Sequence, residues 1–255
     1  MKIGVYFKDE LCESELATLL ISKINEYDFD FDNDNPDVLI YVGGDGTLLR
    51  AINEHINKLD KMLFAGINQG ALGFYYDFKV EEIDDLLRTL KKGEQEHKAY
   101  SLIEADMEGK VIYALNEIRL ENPFHTLIAD VLIDEDYFET YRGNGLSISS
   151  SLGSTAYNKS LGGAVILPDI ETLQLTEIAP INNRVYRSLN SPLVVSNNHT
   201  IKLVGNFKEA VIGFDHLTKK EDVREITIKL SDKKINLIQK KNHTDIDKVK
   251  EAFAL

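Results

Sequence analysis

Apolar residues follow two different rhythms along the chain, and the rhythm changes near Tyr100. Before that point, short apolar runs alternate with longer stretches of helical spacing, the pattern of a parallel sheet covered by helices. Lys2 to Phe7 reads as a strand, and Ser14 to Asn25 as a helix with Leu16, Leu19, Leu20 and Ile24 on one side. Val38 to Val42 is a second strand that runs directly into Gly43-Gly44-Asp45-Gly46-Thr47. Leu48 to Ile56 then reads as helix, Met62 to Gly66 as strand, and Glu81 to Leu90 as helix ending near Gly93. Beyond Tyr100, short segments rich in Val, Ile, Leu and Tyr are separated by turn residues, as in an all-β region. The expected strands are Val111 to Leu115, Ile128 to Ile133, Gly145 to Ser149, Thr200 to Val204, Ala210 to Phe214 and a segment around Ile226 to Leu230, with a short helix at Ile246 to Phe253. The fold expected is an α/β N-terminal domain, a parallel sheet with helices, over residues 1–98, and an all-β C-terminal domain over residues 99–239. Residues 240–255 are expected to pack back on the first domain.

A chain of 255 residues, 43% hydrophobic and 28% charged, suits two modest folded domains and excludes disorder as the main state. Charge narrows the function more than composition does. Asp and Glu number 42 against 29 Lys and Arg, a net charge of -13, which repels phosphate backbones and anionic bilayers at long range. Nucleic acid and membrane are therefore excluded as partners, and an anionic ligand has to be met by a local device. The stretch from His216 to Leu255 holds ten basic and seven acidic residues and reads as a solvated basic surface. Cys12 is the only cysteine, so neither an internal disulfide nor a cysteine-based zinc site is available. The start has no signal-peptide pattern and no apolar run approaches the ~20 residues that span a bilayer, so a reducing, cytoplasmic setting is expected.

The candidate chemistry lies in glycine-rich turns. Three glycines in four positions at Gly43-Gly44-Asp45-Gly46 let the backbone turn sharply and approach a ligand, and a helix start just beyond offers N–H groups to a phosphate. A carboxylate beside phosphates has to meet a cation such as Mg²⁺ or take a hydrogen bond or proton from a hydroxyl. The bland alternative is a tight strand-to-helix turn in which Asp45 caps the helix. A second loop, Gly66-Ile67-Asn68-Gln69-Gly70-Ala71-Leu72-Gly73-Phe74, follows the next strand and can face the same ligand, with Phe74 and Tyr75 either packing on a base or filling the core. Asn116-Glu117 offers an amide and a carboxylate suited to ribose hydroxyls, although a surface strand end reads the same way. Leu152 to Ala164 packs hydroxyls, amides and small residues together, a composition for a polar ligand wall. The histidines have no metal-like spacing, and Asp215-His216 reads as a structural pair. Leu49 stands where a Rossmann fingerprint has its last glycine, and P-loop and Gly-x-Ser-x-Gly motifs are absent.

Taken in order, Gly43-Gly44-Asp45-Gly46-Thr47, Gly66-Ile67-Asn68, Asn116-Glu117, Arg142-Gly143-Asn144-Gly145 and Gly153-Ser154-Thr155-Ala156-Tyr157 resemble the NAD kinases, over nearly the whole chain. Asn158 to Gly163 and Leu175 to Pro180 look like the short forms from Gram-positive bacteria. The first element alone is shared with phosphofructokinases and the diacylglycerol and sphingosine kinases. The resemblance implies phosphorylation of the adenosine 2′-hydroxyl of NAD to give NADP, with ATP or in some members polyphosphate as donor and Mg²⁺ or another divalent cation accompanying it. It implies an NAD site between the domains and assembly as homodimers or homotetramers. Asp45 matches the general base, and an ordinary aspartate would be ionised but weakly basic at neutral pH. Gly43, Gly44, Gly46 and Thr47 would hold phosphates. Asn116 and Glu117 would bind NAD, with Gly46, Arg50, Phe74, Arg142, Asn144, Thr155, Ala156, Tyr157, Ser160 and Ala179 contributing within the site or across a subunit interface. Two positions depart from the family pattern: Asn144 replaces an aspartate on the nicotinamide side, and Leu152 replaces a hydroxyl residue. The competing readings are a lipid or sugar kinase of the same superfamily, and a dinucleotide-binding regulator with weak turnover.

Overall fold

The apolar runs of the first hundred residues assemble into a parallel sheet. The computed structural model describes residues 1–7, 15–68 and 73–253, and the chain divides into two units, Met1–Tyr100 with Lys233–Leu255, and Ser101–Asp232. In the first unit β1 (Lys2–Phe7), α1 (Glu15–Glu26), β2 (Asp30–Phe31), β3 (Val38–Val42), α2 (Asp45–Glu54), β4 (Leu63–Asn68), β5 (Phe78–Lys79) and α3 (Ile83–Lys92) follow one another. The strands pair in parallel in the order β5, β4, β3, β1, β2. All five residues of β3 are buried, which is why Val-Leu-Ile-Tyr-Val shows no alternation. Leu20 and Ile24 of α1 and Ile83, Leu86, Leu87 and Leu90 of α3 close one core with Ile3, Ile40, Val42, Ala65 and Ile67. α3 stops at Gly93, whose φ of 67° is left-handed and open to glycine at least cost.

The second unit is built from β6 (Glu96–Met107), β7 (Lys110–Ala114), β8 (Glu117–Glu121), β9 (Leu127–Ile133), β10 (Asp136–Gly143), β11 (Gly145–Ser150), the short α4 (Tyr157–Ser160), β12 (Thr172–Ile178), β13 (Leu193–Ser196), β14 (Ile201–Gly205), β15 (Val211–Phe214), β16 (Leu217–Lys219) and β17 (Glu225–Gln239). The chain passes between units within β6 and β17, and α5 (Asp245–Phe253) belongs to the first. One antiparallel sheet contains β10, β9, β14 and the first part of β17; the other has the order β13, β12, β11, β8, β15, β16. Their facing side chains share a core that includes Ala129, Val131, Ile201, Leu203 and Ile228 from one sheet and Ile118, Leu120, Leu146, Ile148, Leu173 and Leu175 from the other.

Alternation then dictates what lies on the far face of the second sheet. Glu117, Arg119 and Glu121 of β8, Ser147 and Ser149 of β11, and Thr172, Gln174 and Thr176 of β12 occupy it in register. Most of this polar face is buried: Ser147, Ser149 and Gln174 are fully enclosed and Glu117 is 4% exposed. Residues 151–170 cover part of it and satisfy Gln174 and Thr176. Thr176 donates to Asn158 Oδ1 at 2.8 Å, Gln174 exchanges two hydrogen bonds with the Ala164 backbone, and Ser154 does the same with Ile166.

The α/β unit and the all-β unit are those the two rhythms lead one to expect, with differences at particular elements. α2 begins at Asp45, three residues before the expected Leu48; its first turn is hidden in the sequence by the poor helix formers Gly46 and Thr47. β17 runs on to Gln239, well past Leu230. Ser231-Asp232-Lys233-Lys234 resembles a turn, yet Ser231, Ile235 and Leu237 keep the buried alternation. Strands β8, β10, β12 and β13 carry too many polar or exposed residues to stand out in the sequence. Cys12, Ser14 and the Gln69 to Leu72 part of the second glycine-rich loop lie outside the described residues.

Candidate active site

In the first unit the β3–α2 turn is shaped by Gly43, which has φ of 146° and donates its N–H to Ile67 O at 3.0 Å. A Cβ on Gly43 would collide with the Thr47 hydroxyl, so only glycine closes this turn. Gly44 is the N-cap of α2, and Thr47 N–H donates back to Gly44 O at 2.9 Å. Asp45 is the first helical residue and does not cap the helix. Its carboxylate instead accepts the Phe74 N–H at 3.0 Å and the Tyr75 N–H at 3.2 Å. Burial pushes the Asp45 acid above its ordinary value, opposed by the Phe74 and Tyr75 amides and then by the Lys248 ammonium. Asp45 is therefore a stronger base than the ordinary aspartate the sequence suggests.

The turn that grips Asp45 is itself anchored. Tyr41 donates its hydroxyl to Tyr75 O, and the buried Asp77 pairs with Lys248 at 3.1 Å and with His243 at 2.8 Å. Lys248 is the only buried residue of α5. The rings of Phe74 and Tyr75 are buried and meet edge to face at 5.9 Å, so they fill the core while their amides serve Asp45. Gly46 and Arg50 are half-buried on successive turns of α2. The exposed Gly44 and the N–H groups of this helix start form a surface suited to phosphate.

In the second unit Asn116 and Glu117 are buried, 7% and 4% exposed, which corrects the reading of a surface strand end. Three elements hold them. Ser150 donates its hydroxyl to Leu115 O at 2.7 Å and its N–H to Asn116 O at 2.9 Å. Gly153 lies against the Asn116 backbone so closely that a Cβ would overlap it. The Asp215 carboxylate accepts the N–H groups of Leu115 at 2.8 Å and Asn116 at 2.7 Å. Burial, and then the Asp215 charge, push the Glu117 acid up to about 7, with Arg119 pulling the other way and Glu121 adding to the rise. Glu117 Oε2, Arg119 Nε, Ser147 Oγ and Ser149 Oγ are buried and make no hydrogen bond among the described residues. The Arg119 guanidinium lies over the Tyr157 ring at 4.8 Å, and the Tyr157 hydroxyl donates to Glu121 at 3.2 Å. The result is a polar wall of mixed charge, with donors and acceptors for ribose hydroxyls.

Other expected site residues take varied places in the second unit. Thr155 and Ala156 are half-buried where a single 3₁₀ turn, Leu152–Thr155, meets α4, and Ser160 is exposed at the end of α4. Leu152 is buried. Arg142 stacks on Tyr186 at 4.6 Å and donates to Thr140 O at 3.3 Å. Asn144 donates its amide to the carbonyls of Asn122 at 3.1 Å and Pro123 at 3.4 Å, bonds that an ionised aspartate cannot make. Ala179 is exposed in a left-handed conformation, φ 47°. Arg119 and Lys248 near these sites escape the sequence reading, and Asp215, read there as half of a structural pair with His216, instead holds the Leu115 and Asn116 amides. Only the charge alternation Glu117-Ile118-Arg119-Leu120-Glu121 signals any of them, and such alternation ordinarily marks a solvated face.

Comparison with known proteins gives this geometry its context. Residues 10–95 match the ATP-NAD kinase N-terminal domain and residues 115–240 the ATP-NAD kinase C-terminal domain. NAD kinase 1 of Listeria monocytogenes is 40% identical, covering 99% of both chains. NAD kinase of Streptococcus pyogenes serotype M3 is 41% identical over 99% of this chain and 94% of its own. Among solved structures, an NAD kinase from Archaeoglobus fulgidus in complex with ATP superposes with TM-score 0.82 at 23% identity over the whole of both chains. Yeast NADH kinase complexed with NADH superposes with TM-score 0.85 at 18% identity over 100% of this chain and 87% of its own. These two establish likeness of fold, and the sequence matches establish descent: the chain belongs to the NAD kinase family.

Proposed function

We propose that Asp45 and the Asn116–Glu117 pair carry out the reaction of this family in this chain: Asp45 as base, and Asn116 and Glu117 as ligands of the dinucleotide. As a member of the family, the chain is a phosphotransferase that converts NAD to NADP with ATP, and neither a lipid nor a sugar acceptor is favoured. The observation that carries the assignment is the Asp45 carboxylate, oriented by two backbone amides and made more basic by burial. In the proposed step the adenosine 2′-hydroxyl hydrogen-bonds to Asp45 and its oxygen attacks the γ-phosphorus of ATP. The bond to the β,γ-bridging oxygen breaks, ADP leaves, and the hydroxyl proton passes to Asp45. Phosphoryl transfer relies on alignment and charge stabilisation, which the amides of Gly43, Gly44, Gly46 and Thr47 supply to the phosphates.

The remaining site residues act around this step. Tyr157, Thr155, Ala156 and Ser160 line the dinucleotide, Arg50 and Phe74 contribute on the Asp45 side, and Arg142, Asn144 and Ala179 contribute at the nicotinamide side or at a contact with a second copy. Among the described residues no group of three or more His, Cys, Asp and Glu is arranged to hold a metal ion. The divalent cation, Mg²⁺ in the first instance, enters with the ATP substrate in this reading, and polyphosphate is a second donor. We place the enzyme in the cytoplasm as a homodimer or homotetramer, with an α/β domain, residues 1–98 and 240–255, that supplies the base and an all-β domain, residues 99–239, that supplies the NAD ligands. No helix among the described residues is long and apolar enough to cross a membrane.

The test incubates the purified protein with NAD, Mg²⁺ and either ATP or polyphosphate, and measures NADP with an NADP-specific dehydrogenase. NADP that forms with the native chain and fails with Asp45→Asn supports the assignment, and chelation of the cation is expected to stop the reaction. Equal turnover by Asp45→Asn removes Asp45 from the mechanism. NAD binding without NADP would point to the regulator reading.

A further inference from the structure

Asp215 lies at the turn between β15 and β16, where it takes up a left-handed conformation with φ of 49°. Aspartate tolerates that region better than most residues, but it is still an uncommon place for a side chain. From there the residue reaches the strand entry on three sides. Its carboxylate accepts the N–H groups of Leu115 and Asn116, its own N–H donates to Glu117 O at 3.1 Å, and its carbonyl accepts a hydrogen bond from Arg119 Nη2 at 3.2 Å. Three consecutive residues, Leu115 to Glu117, are thereby fixed by one side chain and its backbone.

A purely structural brace has no need of a charge at this position. Burial pushes the Asp215 acid up to about 6 in spite of the amides and the Arg119 guanidinium that oppose it, and Glu117, which feels the Asp215 charge, is raised as well. Two enclosed acids side by side weaken a fold unless one of them keeps its proton. The groups that face Glu117 are Asp215, Arg119 and Glu121, with the Tyr157 hydroxyl at the far side of Glu121; His216 is exposed. Arg119 is the only cation among them and is divided between Glu117 at 3.8 Å and Glu121 at 3.9 Å. One guanidinium thus serves three acids, and Glu117 Oε2 is a buried oxygen with no hydrogen bond among the described residues.

We propose that Asp215 is a positioning residue for dinucleotide binding, which fixes the backbone from Leu115 to Glu117 through the two amides its carboxylate accepts and the N–H it donates to Glu117 O, and tunes the Glu117 carboxyl through its charge. The inference rests on the reading that Asn116 and Glu117 bind NAD. Glu117 then passes from hydrogen-bond donor to acceptor within the working pH range, so NAD affinity depends on pH through a residue that takes no part in phosphoryl transfer. Asp215 touches neither the phosphates nor the reacting hydroxyl in this scheme and acts only through Glu117 and Asn116.

Steady-state kinetics of the full chain from pH 5 to 9, for the native protein, Asp215→Asn, Glu117→Gln and the double variant, test the inference. Asp215→Asn keeps one acceptor and removes the charge, so the NAD KM should rise about ten-fold while kcat stays within about three-fold, as for loss of one charged hydrogen bond. The midpoint of the pH dependence of the NAD KM should move to lower pH, because a like charge beside Glu117 has gone. Glu117→Gln should abolish that midpoint, and adding Asp215→Asn to it should restore nothing. Native KM and midpoint in Asp215→Asn, with Glu117→Gln impaired, overturn the role of Asp215 alone. Native KM and midpoint in Glu117→Gln overturn the NAD-binding reading beneath it. Should Asp215→Asn fail to fold, carboxyl ¹³C titration of the native chain decides the matter. A Glu117 midpoint near 7 that depends on Asp215 ionisation supports the proposal, and one at the ordinary value of about 4.3 overturns it.

Discussion

Asp45, the first residue of a helix, and Glu117, the first of a strand, are carboxylates in two different units, and the surroundings of each make it suited to a different task. Asp45 accepts two backbone amides and feels the Lys248 ammonium, so burial raises its acid against opposition and the carboxylate stays available as a base. Glu117 has one oxygen without a hydrogen bond among the described residues and two acids for neighbours, and is pushed up to about 7. The backbone sets up the first group and side chains on a sheet face set up the second. A base for phosphoryl transfer has to be ionised and oriented, whereas a carboxyl that binds hydroxyl groups can donate when protonated or accept when ionised, with an affinity that differs between the two.

The comparison breaks most visibly at Asp45. Asp45→Asn should lower kcat by about 10² to 10⁴, the usual contribution of a general base, while calorimetry finds the NAD Kd within a few-fold of native. If kcat is unchanged, the two carboxylates do not differ in role as described. Next in size is Gly153→Ala, which forces a methyl into the Asn116 backbone. Overpacking of this kind costs about 1–3 kcal/mol, so a fall of several degrees in Tm and a weaker NAD KM are expected. Native values for both would show that residues 151–170 do not hold the Asn116–Glu117 turn.

Stability against pH sharpens the contrast further. The Glu117 acid is raised above its unfolded value of about 4.3, so its contribution to stability is fully present below that value and is lost as pH rises through about 7. Glu117→Gln removes this loss. Urea titration should therefore favour the variant, relative to native, more at pH 8 than at pH 5, and an equal difference at both would contradict the burial of an ionising Glu117. The smallest effect is expected at Asn144→Asp, which replaces a donor to the Asn122 and Pro123 carbonyls by a charge. NAD affinity should change by a few-fold with kcat nearly constant; an identical Kd by calorimetry would leave this departure from the family pattern without consequence.

The same contrast explains what was legible from the sequence. Val38–Val42 was readable to the residue because a buried parallel strand gives an unbroken apolar run with glycine beyond it, and Lys2–Phe7 because its mainly apolar, β-favouring residues end at a charged stretch. The Asp45 turn was readable because sharp turns demand glycine, and demand it at fixed places. The polar face of the second sheet was not. Ser147, Ser149, Gln174 and Thr176 sit at the alternate positions that solvent normally occupies, and nothing in periodicity reveals that residues 151–170 fold over them. The role of Asp215, which the sequence pairs only with His216, was hidden for a related reason: its partners lie 99 and 100 residues earlier in the chain. Lys248 reads as one more surface lysine until Asp77, 171 residues away, is placed against it.

That last pair has a consequence for the order in which the enzyme comes into being. The base, its amide cradle and β4 are made early, but Leu237 of β17 pairs with Phe64 and Lys248 reaches Asp77 only after the whole second unit has been synthesised. At ~5–20 residues per second, a ribosome needs many seconds between the Asp45 turn and the helix that anchors its neighbour. During that interval the all-β unit has its full sequence while the α/β unit still lacks its closing strand and helix. A nascent chain can thus fold the Asn116–Glu117 wall before the Asp45 turn is fully braced, and on the proposed assignment the power to transfer phosphate arrives last.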